Sequence, residues 1–346
     1  MKRYSHLDWM RVLCALGVIG VHVLSHYLSS FPLHGSRWVW TMVLKHATHY
    51  QIPGFFMISG ALLIRPLDAM SYGQYLKKRY ARICVPFLIW SFVHWLVILV
   101  LVKGGSLNPI EFVRLLLCNG ISSQYWYVYA TLILYLLLPF LGELVARLDR
   151  RQLWTLIAVM AVINLLLPIV NDLLKAVSSW KFTLYSMGSM GAYLTFALVG
   201  YALNTAALPA RRTRVMIYAA ALLSYIVINI SSYLLSETKY VNTFGETNYP
   251  LAGMMAVGVF VALRALCGRK AAPRLISVLA SDSYTAYLTH MMCLRLLQLY
   301  WTAKRVAVMP APMAMGAMAA EFVLGAVGCF GIAWLAHRLP RVSRWL

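Results

Sequence analysis

Apolar residues follow one another along this chain in long, nearly uncharged stretches, and short polar segments separate them. Residues 83–102 and 125–141 contain no Asp, Glu, Lys or Arg. A stretch of about 17 to 25 predominantly apolar residues is long enough to cross the hydrocarbon core of a bilayer as a helix. In lipid, the backbone polar groups must be satisfied within the segment, which a helix achieves. The pattern therefore predicts an all-α, polytopic integral membrane protein.

About ten segments have this character, and each is predicted to be a transmembrane helix. They are residues 8–28, 39–64, 83–102, 122–144, 153–171, 187–207, 215–235, 249–267, 276–300 and 314–337. The second is the longest and contains Pro53, so we expect it to be tilted or kinked near that residue. Ten helices of ~21 residues leave only short loops and tails. Residues 1–346 are therefore interpreted as a single transmembrane domain.

Composition and charge narrow the picture further. The chain is 61% hydrophobic and 12% charged, which excludes secreted enzymes, nucleic-acid binders and soluble dehydrogenases. Its net charge of +21 fits a membrane protein whose Lys and Arg collect on cytoplasmic loops. Assigned to alternating sides, the 31 basic residues divide 21 to 10, which predicts that both termini are cytoplasmic. A miscounted helix pair would leave the termini on the same side.

The first predicted helix carries a polar stripe in an otherwise apolar segment. Arg11 and His22 are eleven positions apart, about three turns plus 20°, so they share a face and are separated by ~16 Å. Asp8 and His26 fall near the same face. Ionisable groups at membrane depth usually face a cavity or a partner. The alternative is an ion pair between Asp8 and Arg11, with His22 bonded to a neighbouring helix.

Two further segments contain candidate binding residues. Ser59 and Gly60 are small and allow close backbone approach, either for helix packing or for a ligand channel. Arg79 and Arg82 are three positions apart as the third predicted helix begins, so they lie on one face. Paired guanidinium groups suit a phosphate-bearing ligand. The alternative is that these two arginines only hold this end of the helix on the cytoplasmic side of the membrane.

Aromatic and hydroxyl residues mark two other helices. Trp126 and Tyr127 begin an aromatic run that serves either as an interfacial belt or as a stacking surface for a sugar or acyl chain. In the ninth predicted helix, Ser283, Tyr287 and His290 share a face and are predicted to line an interior cavity. Structural packing of His290 against another helix is the alternative.

Histidine pairs at helical spacing also raise the question of a metal site. His22 and His26 are four positions apart, and His46 and His49 are three apart. No carboxylate or Cys lies near them at a spacing typical of metal ligands. We therefore expect no metal.

Taken together, these segments resemble membrane acyltransferase family 3, particularly its members that modify surface glycans. The resemblance rests on Asp8 and on Arg11 followed by ten residues and His22, with further motifs in the same order along nearly the whole chain. These are the Phe-Phe-x-Ile-Ser-Gly run ending at Gly60, the Arg79-x2-Arg82 pair leading into Pro86, the Trp126 segment ending at Pro139 and the Ser283…Tyr287…His290 stretch.

The resemblance implies transfer of an acyl group, usually acetyl, from cytoplasmic acetyl-CoA to a hydroxyl of an envelope glycan or lipid-linked sugar. His22 is then the catalytic residue, as a general base or as a transient acyl carrier. A neutral imidazole there needs an orienting group from another helix, with His290 or an interior Tyr or Ser as candidates. The remaining expected roles are donor contacts from Arg11, Arg79, Arg82, Ser59 and Gly60, acceptor contacts from Trp126, Tyr127, Tyr287 and His290, and an orienting role for Asp8.

The implied location is the bacterial cytoplasmic (inner) membrane, with lipid and the glycan acceptor as partners. The alternative function is a multispanning exporter or flippase for lipid-linked glycans or small metabolites. Such a protein would also line a central path with charged and aromatic residues. It would not need the fixed spacing of Arg11 and His22 beside a basic pair.

Overall fold

A computed structural model describes residues 4–67, 70–177, 186–267 and 270–338. Every regular element in these ranges is helical, and none is a β-strand. The principal helices, in chain order, are α1 (Ser5–Leu28), α2 (Ser36–His46), α3 (Gln51–Leu63), α4 (Tyr72–His94), α5 (Pro109–Leu117), α6 (Trp126–Ala146), α7 (Arg150–Ala161), α8 (Leu167–Val177), α9 (Gly188–Thr205), α10 (Arg211–Leu235), α11 (Pro250–Cys267), α12 (Arg274–Tyr300), α13 (Ala303–Ala307) and α14 (Ala311–Arg338). Short π-helices extend α4 and join α7 to α8.

Seven helical segments among the described residues are long and apolar enough to cross a membrane. They are Ser5–Leu28, Tyr72–Val102, Ser123–Ala146, Arg150–Leu174, Arg211–Leu235, Pro250–Cys267 and Ala311–Arg338. The prediction of an all-α protein with several membrane-spanning helices is confirmed. The count of ten and the cytoplasmic termini remain predictions, and residues 1–3 and 339–346 lie outside the described residues.

The three other predicted spans also coincide with helical structure. Residues 187–207 correspond to α9, and residues 276–300 lie within α12. Residues 39–64 form two helices, α2 and α3, with a turn at residues 47–50 between them. The expected kink near Pro53 is therefore wrong, because the chain breaks before that residue. Pro53 lies in the first turn of α3, where a backbone N–H has no partner within the helix.

Helices α3 and α9 cross at very short range. A Cβ atom at Gly60 would lie 1.8 Å from the carbonyl oxygen of Ala197, and one at Gly200 would lie 2.0 Å from that of Met57. Glycine on both helices thus lets the two backbones approach closely, as small residues do at membrane helix interfaces. This crossing supports the inner part of the bundle.

Helix α1 occupies the interior and packs against α2, α3, α11, α12 and α14. Most of its residues are buried, including Met10, Cys14 and Ile19. By contrast, α10 exposes apolar side chains such as Leu222 and Leu223 along much of its length, as a helix facing lipid does. The polar stripe of α1 is therefore held among other helices.

Candidate active site

Two histidines from different helices meet inside the bundle. The ring centroids of His22 on α1 and His290 on α12 are 5.3 Å apart. His290 is completely buried, whereas His22 is half-buried. The Nδ1 atom of His290 is 2.5 Å from the carbonyl oxygen of Tyr287, one turn earlier on α12. The sequence predicted both histidines as site residues, and the fold brings them together.

Aromatic residues connect α12 to the beginning of α6. The hydroxyl of Tyr287 donates a hydrogen bond to the carbonyl oxygen of Gln124. In return, the hydroxyl of Tyr125 donates to the carbonyl oxygen of Leu288 at 3.0 Å. Tyr127 lies 5.3 Å from the Tyr287 ring, measured between centroids. These contacts fix the part of α12 that carries His290.

The predicted acceptor residues on α6 differ in their surroundings. Tyr127 is buried, with its ring centroid 5.1 Å from that of Phe56. Trp126 is half-buried and lies 5.7 Å from the ring of Tyr193, which stacks on Phe56. Trp126 thus keeps part of its surface open, whereas Tyr127 is part of the aromatic core beside the histidine pair.

Several buried polar atoms close to this region have no hydrogen-bond partner among the described residues. Among them are Nε2 of His290, Nε2 of Gln124 and Nδ1 of His94. The His94 ring lies 5.9 Å from that of Tyr125. The sequence reasoning missed His94 and Gln124 as site residues. The signal for His94 was present, since it is a histidine within the apolar run 83–102.

The N-terminal end of α1 contains the ion pair that the sequence analysis gave as the alternative interpretation of the polar stripe. Nη1 of Arg11 is 3.8 Å from Oδ1 of Asp8, and Ser277 on α12 donates a hydrogen bond of 3.5 Å to the same carboxylate. Asp8 is buried and Arg11 is half-buried. Asp8 therefore joins α1 to α12 in the same helix pair that carries the two histidines.

A cavity of about 440 Å³ lies between the end of α3 and the start of α4. Three basic side chains line it, namely Arg65, Lys78 and Arg79. The guanidinium carbon of Arg79 lies 5.8 Å from the centre of the Tyr75 ring, which also lines the cavity. Arg82 is exposed and does not line it. The cavity is thus a cationic site of a size that suits part of a phosphate-bearing ligand.

The other two predicted donor residues have contacts of their own. The Ser59 hydroxyl donates to the carbonyl oxygen of Phe55 at 3.1 Å, within its own helix. Gly60 faces the backbone of α9, as described above. Neither residue lines the basic cavity. Helix packing accounts for Gly60, and the structure does not bring Ser59 or Gly60 to Arg79.

Comparison with known proteins identifies the family. A family model described as an acyltransferase domain (Acyl_transf_3) matches residues 4–338. The chain belongs to the acyltransferase 3 family. No curated protein and no solved structure matches the chain.

A second cluster in this acyltransferase 3 protein holds the loop 236–249 against α2. Nδ1 of His46 lies 3.0 Å from Oδ1 of Asn229, and the hydroxyl of Tyr240 donates to Nε2 of His46 at 2.8 Å. Nζ of Lys45 lies 4.2 Å from the centre of the Tyr240 ring. His46 is completely buried, so this contact is a fixed part of the fold.

Metal binding in this acyltransferase 3 protein would require several ligating side chains close together. Within the described ranges, no group of three or more His, Cys, Asp or Glu side chains is arranged to hold a metal ion. The rings of His46 and His49 are 4.9 Å apart, but both nitrogens of His46 are engaged by Asn229 and Tyr240. The interior site itself presents imidazole, hydroxyl and amide groups, from His22, His290, Tyr287 and Gln124.

Proposed function

We propose that this acyltransferase 3 protein is a membrane O-acetyltransferase. It moves an acetyl or other small acyl group from cytoplasmic acetyl-CoA to a hydroxyl of an envelope glycan or lipid-linked sugar. One observation carries the proposal: His22, half-buried in the interior, touches the fully buried His290 in a member of an acyltransferase family. Imidazole is the side chain best suited to accept a hydroxyl proton near neutral pH.

The basic cavity supports coenzyme A as the donor. Coenzyme A carries phosphate groups, and Arg65, Lys78 and Arg79 offer charge-assisted hydrogen bonds to such groups. The basic residues of this loop belong to the predicted cytoplasmic side, where the donor is found. Arg11 lies at the corresponding end of α1, and His22 lies ~16 Å further along that helix. A donor bound by its phosphates in the cavity would extend its acyl end toward the interior.

The proposed chemistry is direct acyl transfer. The acceptor hydroxyl attacks the carbonyl carbon of the thioester while His22 accepts its proton. The tetrahedral intermediate then collapses, the carbon–sulfur bond breaks, and the departing thiolate takes up the proton. His22 returns to its starting state, and no acyl group is stored on it.

The acceptor is proposed to approach from the opposite side of a bacterial inner membrane. The loop 236–249 belongs to that side in the predicted topology and presents half-buried Asn242, Phe244 and Asn248. Amide and aromatic side chains hydrogen-bond and stack on sugars. Tyr240 and Tyr249 of the same loop are instead bonded to His46 and Asp172, and so help to hold it in place.

The test is consumption of acetyl-CoA by the purified protein in lipid nanodiscs. With glycan-containing envelope extract as acceptor, the wild-type protein should release free coenzyme A and transfer radiolabelled acetyl to the glycan. His22→Ala should bind acetyl-CoA normally but transfer about 10²–10⁴ times more slowly, the range typical for loss of a general base. His26→Ala, one turn further along α1, is the matched control and should reduce the rate of transfer much less.

Two results would contradict the proposal. A protein that binds and moves lipid-linked glycan without consuming acetyl-CoA would be an exporter or flippase. Near-normal transfer by His22→Ala, with loss of transfer in His26→Ala, would move the catalytic assignment to another histidine.

A further inference from the structure

The hydrogen bond made by His290 fixes which of its ring nitrogens carries the proton. Nδ1 lies 2.5 Å from the carbonyl oxygen of Tyr287, and a carbonyl oxygen only accepts hydrogen bonds. Nδ1 must therefore be protonated. The rings packed against His290 include those of His22 and Tyr287, at 5.3 and 5.5 Å between centroids. In this fully buried position the ring is neutral, so its Nε2 atom is an unprotonated acceptor.

The Nε2 acceptor of His290 is both buried and unused in the described part of the chain. Its nearest ring is that of His22, at 5.3 Å between centroids and with an angle of 38° between the ring planes. An N–H···N bond of about 3 Å between two imidazoles places their centres roughly 5 to 5.5 Å apart. The observed separation therefore allows a small rotation, or one bridging water, to complete such a bond.

We propose that His290 is a positioning residue for His22. Its Nε2 atom accepts a hydrogen bond from an N–H group of His22, directly or through one water. The second nitrogen of His22 is then left unprotonated and faces the acceptor hydroxyl. The proposal rests on the proposed function, and it selects His290 from the orienting candidates named in the sequence analysis, in place of the acceptor contact also expected of it.

The arrangement is a neutral counterpart of the carboxylate–histidine pairs of soluble hydrolases. A carboxylate held next to His22 would be costly at membrane depth. Asp8 lies about 21 Å from His22 along α1, too far to act as its direct partner. The series of hydrogen bonds instead ends on a backbone carbonyl. The carbonyl oxygen of Tyr287 accepts a hydrogen bond from Nδ1 of His290, and Nε2 of His290 would accept one from His22. No net charge is present until His22 takes up the proton.

The proton balance of the step is simple. The acceptor oxygen forms a bond to the thioester carbon, and its proton moves to the free nitrogen of His22. The opposite N–H of the resulting imidazolium remains hydrogen-bonded to Nε2 of His290, which stabilises the charge. When the carbon–sulfur bond breaks, the proton passes from His22 to the thiolate sulfur. His290 keeps its own proton on Nδ1 throughout.

Two substitutions of His290 distinguish the role of its Nδ1 atom from that of its Nε2 atom. The amide nitrogen of Asn in His290→Asn takes the approximate place of Nδ1 and preserves the bond to Tyr287, but nothing replaces Nε2. In His290→Gln, the longer amide reaches the place of Nε2 and supplies an acceptor oxygen. Thr289→Val is the matched control, because the Thr289 hydroxyl is equally buried on the same helix and bonds only to its own helix.

The experiment measures kcat, the acetyl-CoA KM and acetyl-CoA binding in nanodiscs. His290→Asn should lower kcat roughly 10- to 10²-fold, less than the ~10⁴-fold loss known for a charged orienting group. Its acetyl-CoA KM and binding should stay within about twofold of wild type, because the basic donor cavity is untouched. His290→Gln should recover part of the rate, and Thr289→Val should match wild type. In the double variant with His22→Ala, His290→Asn should cause no further loss, since it acts through His22.

Several results would overturn the proposal. They are wild-type kcat in His290→Asn, equal loss in His290→Asn and His290→Gln, an additive loss in the double variant, or loss of acetyl-CoA binding in both single variants. The last would make His290 a support of the fold or of the donor site. Failure of the proposed function is distinguishable, because the wild-type protein itself would then not consume acetyl-CoA.

Discussion

Arg79 and Arg82 lie one helical turn apart, yet their surroundings differ. Arg79 is half-buried and lines the basic cavity, whereas Arg82 is exposed and does not. A charge-assisted hydrogen bond is worth about 1.5–3 kcal/mol, so Arg79→Ala should weaken acetyl-CoA binding by roughly ten- to a hundredfold. Arg79→Lys should restore binding only in part, because the planar fork that engages phosphate is lost. Equilibrium binding of radiolabelled acetyl-CoA measures the effect.

Two exposed cations on the same helix serve as controls for Arg79. Arg82→Ala and Lys77→Ala each remove one positive charge without changing the lining of the cavity. Both should reduce binding much less than Arg79→Ala. Equal effects of all three would mean that the helix contributes only a general positive potential, and normal binding by Arg79→Ala would make that residue a topology anchor.

At the scale of single residues, helical register could be predicted from the sequence. The proximity of Asp8 and Arg11 follows from a spacing of three, and their ion pair is present. The contact between His22 and His290 could not be predicted this way, because they lie on different helices and spacing along the chain does not specify which helices meet. Gln124 was missed for a similar reason, since its carbonyl becomes notable only through its bond to Tyr287.

At the scale of helices, the α3–α9 crossing should be sensitive to a single methyl group. Gly60→Ala and Gly200→Ala would each place Cβ within 2.0 Å of a backbone carbonyl oxygen on the opposite helix. Overpacking of this kind costs about 1–3 kcal/mol or more, because neither backbone is free to move away. We expect both variants to lower the thermal unfolding temperature in detergent and to reduce the yield of folded protein.

Gly331→Ala provides the matched control inside another helix. Apart from its chain neighbours and the backbone of its own helix, no atom of the described residues lies within 4 Å of a Cβ built at Gly331 in α14. Alanine also favours helix over glycine by about 0.8–1 kcal/mol. Gly331→Ala should leave the unfolding temperature unchanged or raise it slightly. Wild-type stability of Gly60→Ala would show that α3 and α9 are further apart than the structure places them.

The loop 236–249 yields a prediction about the acceptor. Tyr240→Phe removes the hydroxyl that binds His46 but keeps the ring beneath Lys45. Loss of one such hydrogen bond is worth about 0.5–1.5 kcal/mol, so the apparent acceptor KM should rise roughly two- to tenfold. Acetyl-CoA binding should stay normal, because the basic cavity is formed by α3, α4 and the segment between them.

Tyr233→Phe is the control for Tyr240→Phe. Tyr233 is exposed and near the same loop, with its ring 4.5 Å from that of His34. Removing its hydroxyl should not alter acceptor kinetics. Unchanged acceptor KM in Tyr240→Phe as well would exclude a recognition role that depends on how this loop is held.

The break between α2 and α3 could not be predicted from the sequence. Hydropathy follows residues 39–64 as one segment, and residues 47–50 contain neither glycine nor proline. The turn is supported by tertiary and side-chain contacts, since the Tyr50 hydroxyl donates to the carbonyl oxygen of Leu13 at 3.2 Å and Thr48 donates to that of Lys45 at 2.7 Å. Pro53, the visible helix breaker, begins a helix instead of bending one.

At the scale of the whole molecule, the class of fold followed from the hydrophobic pattern alone. Long apolar runs such as residues 83–102 exclude a soluble core, and the structure places helices there. The arrangement of helices was not available from the pattern. The alternation of basic residues predicts an orientation, because Lys and Arg of membrane proteins generally concentrate on cytoplasmic loops. That orientation is independent of the helix packing and needs its own test.

Helix α10 offers the clearest test of orientation. Its 25 residues span about 37 Å, enough to cross the bilayer. Exposed Arg212 lies in its first turn, and exposed Lys239 lies in the loop that follows its last residue, Leu235. The basic bias places Arg212 in the cytoplasm and Lys239 outside. In a Cys118→Ser background, Arg212→Cys should react with a membrane-impermeant maleimide only after the cells are opened. Lys239→Cys should react in intact cells whose outer membrane has been permeabilised.

Native Cys118 provides an internal control for that labelling. It is exposed in the structure, whereas Cys14 and Cys329 are buried. It lies in the segment between α5 and α6, which the same alternation of basic residues places on the outer side. The natural chain should therefore be labelled from outside at Cys118, and Cys118→Ser should abolish most of that signal. Labelling of positions 212 and 239 from the same side would contradict the predicted topology. Labelling of each position from the side opposite to the predicted one would place the basic cavity on the outer face, away from cytoplasmic coenzyme A.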